Sequence, residues 1–233
     1  MGADPIRAIR MGTLNAAAYF GLHDMGAVAP GYKADLAVFD DLRTLNVKQV
    51  YKGGKLVAEN GKMLHQKEKN TDWSTEIKER VFHSFHRVPI TVEELQLKET
   101  TGTHQRVIDM VAHELITKER IEEWKELPGV APGVDISRDI VKLAAIERHK
   151  NTGHVGLGFL GKYGLKKGAV ATSIGHDSHN LVIAGVTDED MVLAGNRVIE
   201  NGGGLAIALE GKVLADLPLP IGGLMADEPV ECR

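Results

Sequence analysis

Cysteine, aromatic side chains and long apolar runs are all scarce in this 233-residue chain. Its one cysteine, Cys232, stands beside the C-terminus and can form neither an intrachain disulfide nor a multi-cysteine metal site. This predicts a reducing, cytoplasmic setting. No apolar stretch approaches the roughly 20 residues that cross a bilayer, and the N-terminus has no apolar segment typical of a secretion signal. We therefore expect neither membrane insertion nor export.

An excess of positive charge is missing as well. The chain has 28 Lys and Arg residues against 32 Asp and Glu residues, which gives a formal net charge of -4. A nucleic-acid-binding surface needs clustered basic residues, so we expect no nucleic-acid partner. What is present is a hydrophobic fraction of 43% and a charged fraction of 26%. These values are typical of a globular protein, here with one or two domains at ~150 residues each.

The first third of the chain predicts two short helices and a small β unit. Asp4 followed by Pro5 is typical of a helix start, and Gly12-Thr13 divides the apolar pattern that follows. Ala34–Phe39 predicts a buried strand, and the apolar segments on either side of Gly53-Gly54 predict a hairpin. A polar stretch, residues 65–74, then indicates a linker.

A second domain is expected from about residue 75. Ile136–Arg148 fits either a helix or a buried strand, because periodicity does not distinguish the two for a short apolar run. The other segments carry clearer patterns. We predict strands at Val81–Val88, Val107–Ala112, Ala169–Ile174 and Leu181–Val186, helices at Ile116–Leu127 and Thr187–Ile199, and a hairpin formed by Leu205–Leu209 and Lys212–Leu217.

A glycine motif, Gly156-Leu157-Gly158-Phe159-Leu160-Gly161, matches the G-x-G-x-x-G pattern of dinucleotide-binding folds. That pattern binds a pyrophosphate only where it closes a strand and opens a helix. The following residues are Gly-rich and do not predict a helix. We therefore interpret the motif as a mobile loop, which leaves open a role as a lid.

The segment from His176 to Asn180 concentrates polar chemistry between two predicted strands. His176 and His179 with Asp177 have the side chains that bind zinc or another divalent metal, and a loop can bring residues three apart to one point. A substrate contact is the other functional interpretation. The structural alternative is equally physical, because Asp177, Ser178 and Asn180 are also turn formers.

The residues Arg148 and His149 end the apolar run that begins at Ile136. Polar groups at the end of such a run can project into a cleft, or they can form a solvated end of the element. The candidate residues that face a cleft or a substrate are Arg148, His149, His176, Asp177, Ser178, His179 and Asn180, and the candidate metal ligands among them are His176, Asp177 and His179.

Two longer stretches resemble a known family. "APGYKADLAVFD" and "VYKGGKLVAENGK", in residues 29–62, are similar to the C-terminal end of amidohydrolase-superfamily enzymes. "IERHKNTGHVGLGFLGKYGLKKGAVATSIGHDSHNLVIAGVTDEDMVLAGNRVIENGGGLAIALEGKVLADLPLPIGGLM", residues 146–225, is similar to the C-terminal domain of the adenine deaminase family. The resemblance covers essentially the whole chain.

The resemblance implies an α/β chain of the α+β type in three parts. Residues 1–27 would be a remnant of the last barrel helix, residues 28–66 a partial β-sandwich, and residues 75–233 the adenine deaminase C-terminal domain. The TIM barrel of the family, which needs ~250 residues, would be largely absent. The missing strands would leave sheet edges unpaired, and such edges favour self-association into a homo-oligomer.

The resemblance also implies hydrolytic deamination of adenine to hypoxanthine and ammonia, a reaction of purine salvage. Family members use manganese or iron, and their ligands precede the part matched here, so we expect the chain alone to be inactive. A separate divalent metal at the His176–His179 segment is a further possibility. The alternative is a non-catalytic subunit or binding module that docks on a separate barrel chain.

Overall fold

The structure, a computed structural model, describes Gly2 and residues 4–64, 73–97 and 102–227, and the chain divides into two units, residues 1–72 and 73–233. The first unit begins with helices α1 (Pro5–Gly12) and α2 (Leu14–Tyr19). Asp4 caps α1, since its carboxylate accepts the N–H of Arg7 at 2.9 Å. The two short helices predicted from the sequence are confirmed. Residues 65–72 of the predicted linker lie outside the described residues.

One antiparallel sheet follows in the first unit. Its strands lie in chain order, and the hairpin around Gly53-Gly54 is confirmed. The partial β-sandwich expected here is a single layer in the described residues. The first strand was expected to be buried, but its central residues Ala37 and Val38 are exposed. The strands are β1 (Leu36–Phe39), β2 (Val47–Lys52), β3 (Lys55–Glu59) and β4 (Lys62–Met63).

The first unit buries little apolar surface. Among its described residues, Ala17 is the one apolar residue that is fully buried. Tyr19, Phe20 and Val28 are 84%, 73% and 88% exposed. A stable domain of this size ordinarily buries a shared apolar core. The unit therefore presents to solvent the kind of side chain that forms cores and interfaces.

The second unit is built on a larger sheet. Its strand order is β12-β11-β9-β10-β7-β8-β5-β6, and all neighbours are antiparallel except the parallel pair β5 and β8. The strands are β5 (His104–Met110), β6 (Thr117–Glu123), β7 (Ile140–Ile146), β8 (Val155–Gly161), β9 (Ala169–Thr172), β10 (Leu181–Gly185), β11 (Gly204–Leu209) and β12 (Lys212–Pro218). The helices are α3 (Thr75–Phe82), α4 (Val92–Leu95) and α5 (Asp188–Glu200).

Helix α5 forms the main core of this unit. It packs on strands β9 to β12, and its apolar face (Met191, Ala194 and Val198) is fully buried. The Thr187 hydroxyl caps its start by accepting the N–H of Asp190 at 3.4 Å. The predicted helix, the two strands before it and the hairpin after it are therefore confirmed. The described residues mix helices with two sheets and close no barrel, as the α+β prediction requires.

Two predicted elements are wrong. Val81–Val88 is not a strand: Ser74 caps helix α3, which ends at Phe82, and the chain then continues without regular structure. Ile116–Leu127 is not a helix, because Thr117–Glu123 pairs with β5 along seven residues and forms the edge of the sheet. The open choice for Ile136–Arg148 is decided in favour of a buried strand, β7.

The glycine motif is a strand and not a mobile loop. Val155–Gly161 forms β8 between β7 and β5, with Phe159 buried. The last glycine is required by close packing, since a Cβ at Gly161 would lie 2.1 Å from the Oδ1 atom of Asp109. Glycine here allows a partly buried ion pair, Asp109–Arg120 at 2.9 Å, to lie against the strand. The motif has no phosphate-binding geometry, because no helix follows it.

Candidate functional site

The predicted site residues lie in two neighbouring turns. Residues 173–180 connect β9 to β10, and residues 147–154 connect β7 to β8. Strands β7 and β10 pair antiparallel, with Ile146 opposite Leu181, so the end of β7 and the start of β10 meet at the same edge of the sheet. The structure therefore brings Arg148 and His149 next to the His176–Asn180 segment, which sequence spacing alone did not show.

Arg148 is the most deeply buried of these residues, with 1% exposure. Its Nε donates to the carbonyl of His179 at 2.5 Å and its Nη2 to the carbonyl of Gly222 at 3.0 Å. The guanidinium also stacks over the ring of Phe85, 4.9 Å from the centroid. Among the described residues no carboxylate pairs with it, and burial lowers the pKa of Arg148. Arg148 is a buried cation held by carbonyl dipoles. It therefore matches neither of the two alternatives, a side chain in an open cleft or a solvated end of the element.

Glu147 shapes the turn that carries His149. Its carboxylate accepts the backbone N–H groups of His149, Lys150 and Thr152 at 2.5, 2.7 and 2.9 Å. These bonds, that of Thr152 above all, hold the pKa of Glu147 at about 2. The turn places the Nε2 atom of His149 2.8 Å from the carbonyl of Ser178. The side chain of His149 therefore contacts the neighbouring turn and not solvent alone.

The His176–Asn180 segment splits into an exposed tip and a buried root. The side chains of His176 and Asp177 are 97% and 89% exposed, and their Nδ1 and Oδ1 atoms lie 3.2 Å apart. His179 is turned inward, and its buried Nδ1 has no hydrogen-bond partner among the described residues. Ser178 is exposed and Asn180 half-buried.

The three predicted metal ligands do not converge. In the part of the chain that the structure describes, no group of three or more His, Cys, Asp or Glu side chains could hold a metal ion. Since His176 and Asp177 point outward and His179 inward, the geometry does not fit a metal on this set. The segment instead forms a turn, which is the structural alternative that the turn formers Asp177, Ser178 and Asn180 also predicted.

A second buried polar group was missed by sequence reasoning. Ser173 is fully buried; its Oγ donates to the carbonyl of Gly223 at 2.5 Å and accepts the N–H of Gly204 at 2.7 Å. Gly223 also lies against Arg148, since a Cβ there would be 2.7 Å from its Nη1. The sequence signal that could have revealed this contact is the run Gly202-Gly203-Gly204, because glycine often marks a close approach of backbone segments.

A cavity of about 570 Å³ touches the far end of the β7–β8 turn at Gly153. None of the predicted site residues lines it. Its walls are Glu93, Glu94, Gln96, Leu97, Gly153, Val155 and Leu157.

Comparison with known proteins places the chain in a family. A family model for the adenine deaminase C-terminal domain matches residues 114–232, just over half of the chain. The chain belongs to this family. A second model, that of the amidohydrolase family, matches residues 1–57. The resemblance found in the sequence motifs is thereby confirmed.

Curated relatives match nearly the whole chain. An adenine deaminase of Lysinibacillus sphaericus is 42% identical over 231 residues, which are 99% of this chain and 39% of the relative. Adenine deaminase 2 of Carboxydothermus hydrogenoformans is 44% identical over 227 residues, 97% of this chain and 38% of the relative. The chain thus spans about two fifths of the length of the curated relatives it matches.

In the part of the chain that the structure describes, none of the helices is long and apolar enough to cross a membrane.

Proposed function

We propose that the chain is the C-terminal part of an adenine deaminase, which converts adenine and water to hypoxanthine and ammonia in purine salvage. The observation that carries the proposal is the match of nearly the whole chain to relatives named adenine deaminase. Two family matches in the order amidohydrolase, then adenine deaminase C-terminal domain, support it further. A cytoplasmic location and a homo-oligomeric state are part of the proposal and rest on the sequence alone.

In this proposal, the catalytic metal is manganese or iron. Its ligands belong to an amidohydrolase portion that lies outside the region matched by this chain. The side chains described here do not fit such a centre, because no three potential ligands converge among them. We therefore derive no catalytic step from the residues of this chain. Their role in the proposal is to complete and support the portion that performs the chemistry.

The amidohydrolase portion is the partner that the first unit is proposed to contact. Tyr19, Phe20 and Val28 are largely exposed in a unit with almost no apolar core of its own. Burial of such side chains stabilises a protein by ~1.5–3 kcal/mol each, which favours a partner surface over solvent. The same observation favours the second candidate, a non-catalytic module that docks on a separate amidohydrolase chain.

One experiment separates these proposals. The chain is assayed for adenine loss by ultraviolet absorbance, with manganese added, in three forms: alone, mixed with the amino-terminal portion of the Lysinibacillus sphaericus relative, and fused to that portion. We expect no turnover by the chain alone and turnover by the fusion. Turnover in the mixture as well favours the docking module. Turnover by the chain alone contradicts the placement of the catalytic centre.

The control is the relative's own C-terminal portion, rejoined to its amino-terminal portion in the same two ways. It shows the activity that a fully matched pair reaches. A fusion that stays inactive while this control is active contradicts the proposal that the chain serves as an adenine deaminase C-terminal part.

A further inference from the structure

The larger sheet has an outer face, which is the face opposite helix α5, and part of that face is an apolar patch. Strand pairing aligns the side chains of the patch in two rows, because directly paired residues point to the same side. Across β9, β11 and β12 the first row is Thr172, Leu205 and Leu217, and the second is Val170, Ile207 and Ala215. Val182 of β10 and Ala145 of β7 continue the first row.

The patch is open to solvent among the described residues. Ile207 is 43% exposed and Leu217 37% exposed. The alternate residues of the same strands, such as Ala171 and Ala206, point to α5 and are fully buried. The sheet is therefore covered on one side of these strands and bare on the other.

The composition of the patch does not suit a permanent contact with water. An antiparallel sheet that faces solvent ordinarily alternates apolar residues with polar ones. The other end of the same outer face follows this rule, since Arg106 and Glu119 form an ion pair there at 2.6 Å with 77% and 58% exposure. In the patch, Thr172 is the one polar residue and no residue is charged. A contiguous exposed apolar surface of this kind marks an interaction site.

The size of the patch indicates which kind of occupant it can hold. At ~4.8 Å between strands and ~6.8 Å between residues on one face, each position covers ~33 Å² and the whole patch ~260 Å². A stable complex of separate proteins buries ~800 Å² on each partner. The patch alone is too small to hold a second copy or a free partner. A partner in the same polypeptide needs less area, because the covalent link keeps its effective concentration high.

We propose that the apolar patch is a contact surface for the amidohydrolase portion of the same polypeptide, which packs on it as a further layer. The proposal rests on the proposed function, because it takes that portion as the occupant. Two comparisons support this choice. The chain covers only 39% and 38% of two curated relatives, and the amidohydrolase family model matches residues 1–57. The sheet would then be covered on both faces, as layered domains usually are.

The rate of thiol alkylation tests whether the patch is covered. In a Cys232→Ser background, Ala215→Cys places a thiol in the second row, and Thr117→Cys places a control thiol on the exposed edge strand β6. Each variant is treated with iodoacetamide as the chain alone and as the fusion to the amino-terminal portion of the Lysinibacillus sphaericus relative. Ala215→Cys should react roughly tenfold or more slowly in the fusion, because a covered thiol reacts only after local opening. Thr117→Cys should react at the same rate in both.

A buried charge should remove the cover. Ile207 and Ile108 are 43% and 40% exposed, and strand pairing places them on the outer face at opposite ends of the sheet. Ile207→Asp, added to the Ala215→Cys fusion, should restore fast alkylation, because an unpaired carboxylate is costly to bury. Ile108→Asp is the matched control and should leave the alkylation slow.

The outcomes separate the possible occupants. Equal rates for Ala215→Cys in the chain and in the fusion would overturn the proposal. So would slow alkylation of the chain alone, which would place the occupant within residues 1–233, or within a second copy if the slowing grows with protein concentration. An active fusion with a fast Ala215→Cys thiol contradicts this proposal alone. An inactive fusion beside an active rejoined relative contradicts the proposed function, and the alkylation rates still decide whether the patch is covered.

Discussion

Lys142 and Asp188 form a buried ion pair whose two halves should respond differently to removal. The Nζ of Lys142 donates to Oδ1 of Asp188 at 2.7 Å. The Lys142 side chain is 1% exposed, whereas that of Asp188 is 11% exposed. Asp188 is also the first residue of α5, where the N-terminal end of the helix dipole stabilises an anion. Asp188 therefore keeps part of its stabilisation without its partner, and Lys142 does not.

The expected free energies of unfolding follow from this asymmetry. Asp188→Ala leaves an ammonium in a fully enclosed position and should cost about 3–5 kcal/mol. Lys142→Met fills the space with an apolar chain and leaves a carboxylate at a helix start, so it should cost about 1–2 kcal/mol. The double variant should return to within about 1 kcal/mol of the wild type, because an apolar replacement of a buried pair is often neutral.

Urea unfolding followed by tryptophan fluorescence measures these differences. Trp124 is a suitable reporter in the same unit, because its ring packs edge-on against Phe159 with centroids 5.7 Å apart. A cost for Asp188→Ala that is equal to or smaller than that for Lys142→Met would contradict the expected asymmetry of the pair. So would a double variant whose cost is the sum of the two single costs, since that would mean that the pair is not coupled.

Two further predictions concern the same unit. Gly161→Ala should lower the free energy of unfolding in urea by about 1–3 kcal/mol, because its Cβ would lie 2.1 Å from Asp109 Oδ1. The control Gly158→Ala, with no atom within 4 Å of its Cβ, should change it by less than about 0.5 kcal/mol. Equal costs for the two variants would contradict this prediction. The Ser137 hydroxyl and the Arg138 guanidinium hold the pKa of Asp135 at about 2, below its ordinary 3.8. Ionisation of Asp135 therefore contributes at most about 2 kcal/mol to the free energy of unfolding. This contribution is present in full above pH 4 and is lost as the pH falls towards 2. The cost of Asp135→Asn should accordingly shrink between pH 6 and pH 2.5, and a constant cost would contradict the assignment.

Local signals were enough for elements that local chemistry determines. Thr187 accepts a backbone N–H at the start of α5, as its position before an apolar face predicted. Turns at Gly53-Gly54 and Glu210-Gly211 close the predicted hairpins, with Glu210 and Gly211 at positive φ. In each case the residues that specify the structure lie within a few positions of one another. The family could be recognised for a different reason, namely the likeness of long stretches of sequence.

Long-range contacts explain two of the failures. Thr117–Glu123 has charges that also suit a helix, but pairing with β5 and the contact of Arg120 with Asp109 make it an edge strand. Gly161 lies in a strand because it pairs with β7 and β5, and it is a glycine because Asp109, more than fifty positions earlier, occupies the space of a Cβ. Neither relation is visible in a local window, and tertiary contacts override weak propensities.

The candidate site shows the same difference between what local sequence predicts and what long-range contacts decide. The polar residues of the 176–180 segment were found from their position between apolar runs, but the direction of each side chain was not. His176 points outward and His179 inward, and the carbonyls of Ser178 and His179 are bound by His149 and Arg148 of the neighbouring turn. A metal set inferred from spacing alone assumed that all three side chains converge. Spacing does not reveal the contacts with the neighbouring turn.

We propose that this chain completes an adenine deaminase whose catalytic centre lies in the amidohydrolase portion. The most direct measurement is the amount of ammonia and hypoxanthine formed from adenine by the fused protein and by the chain alone. We predict equal amounts of the two products from the fusion and neither product from the chain. Ammonia and hypoxanthine from the chain alone, or an inactive fusion beside an active rejoined relative, would contradict the claim.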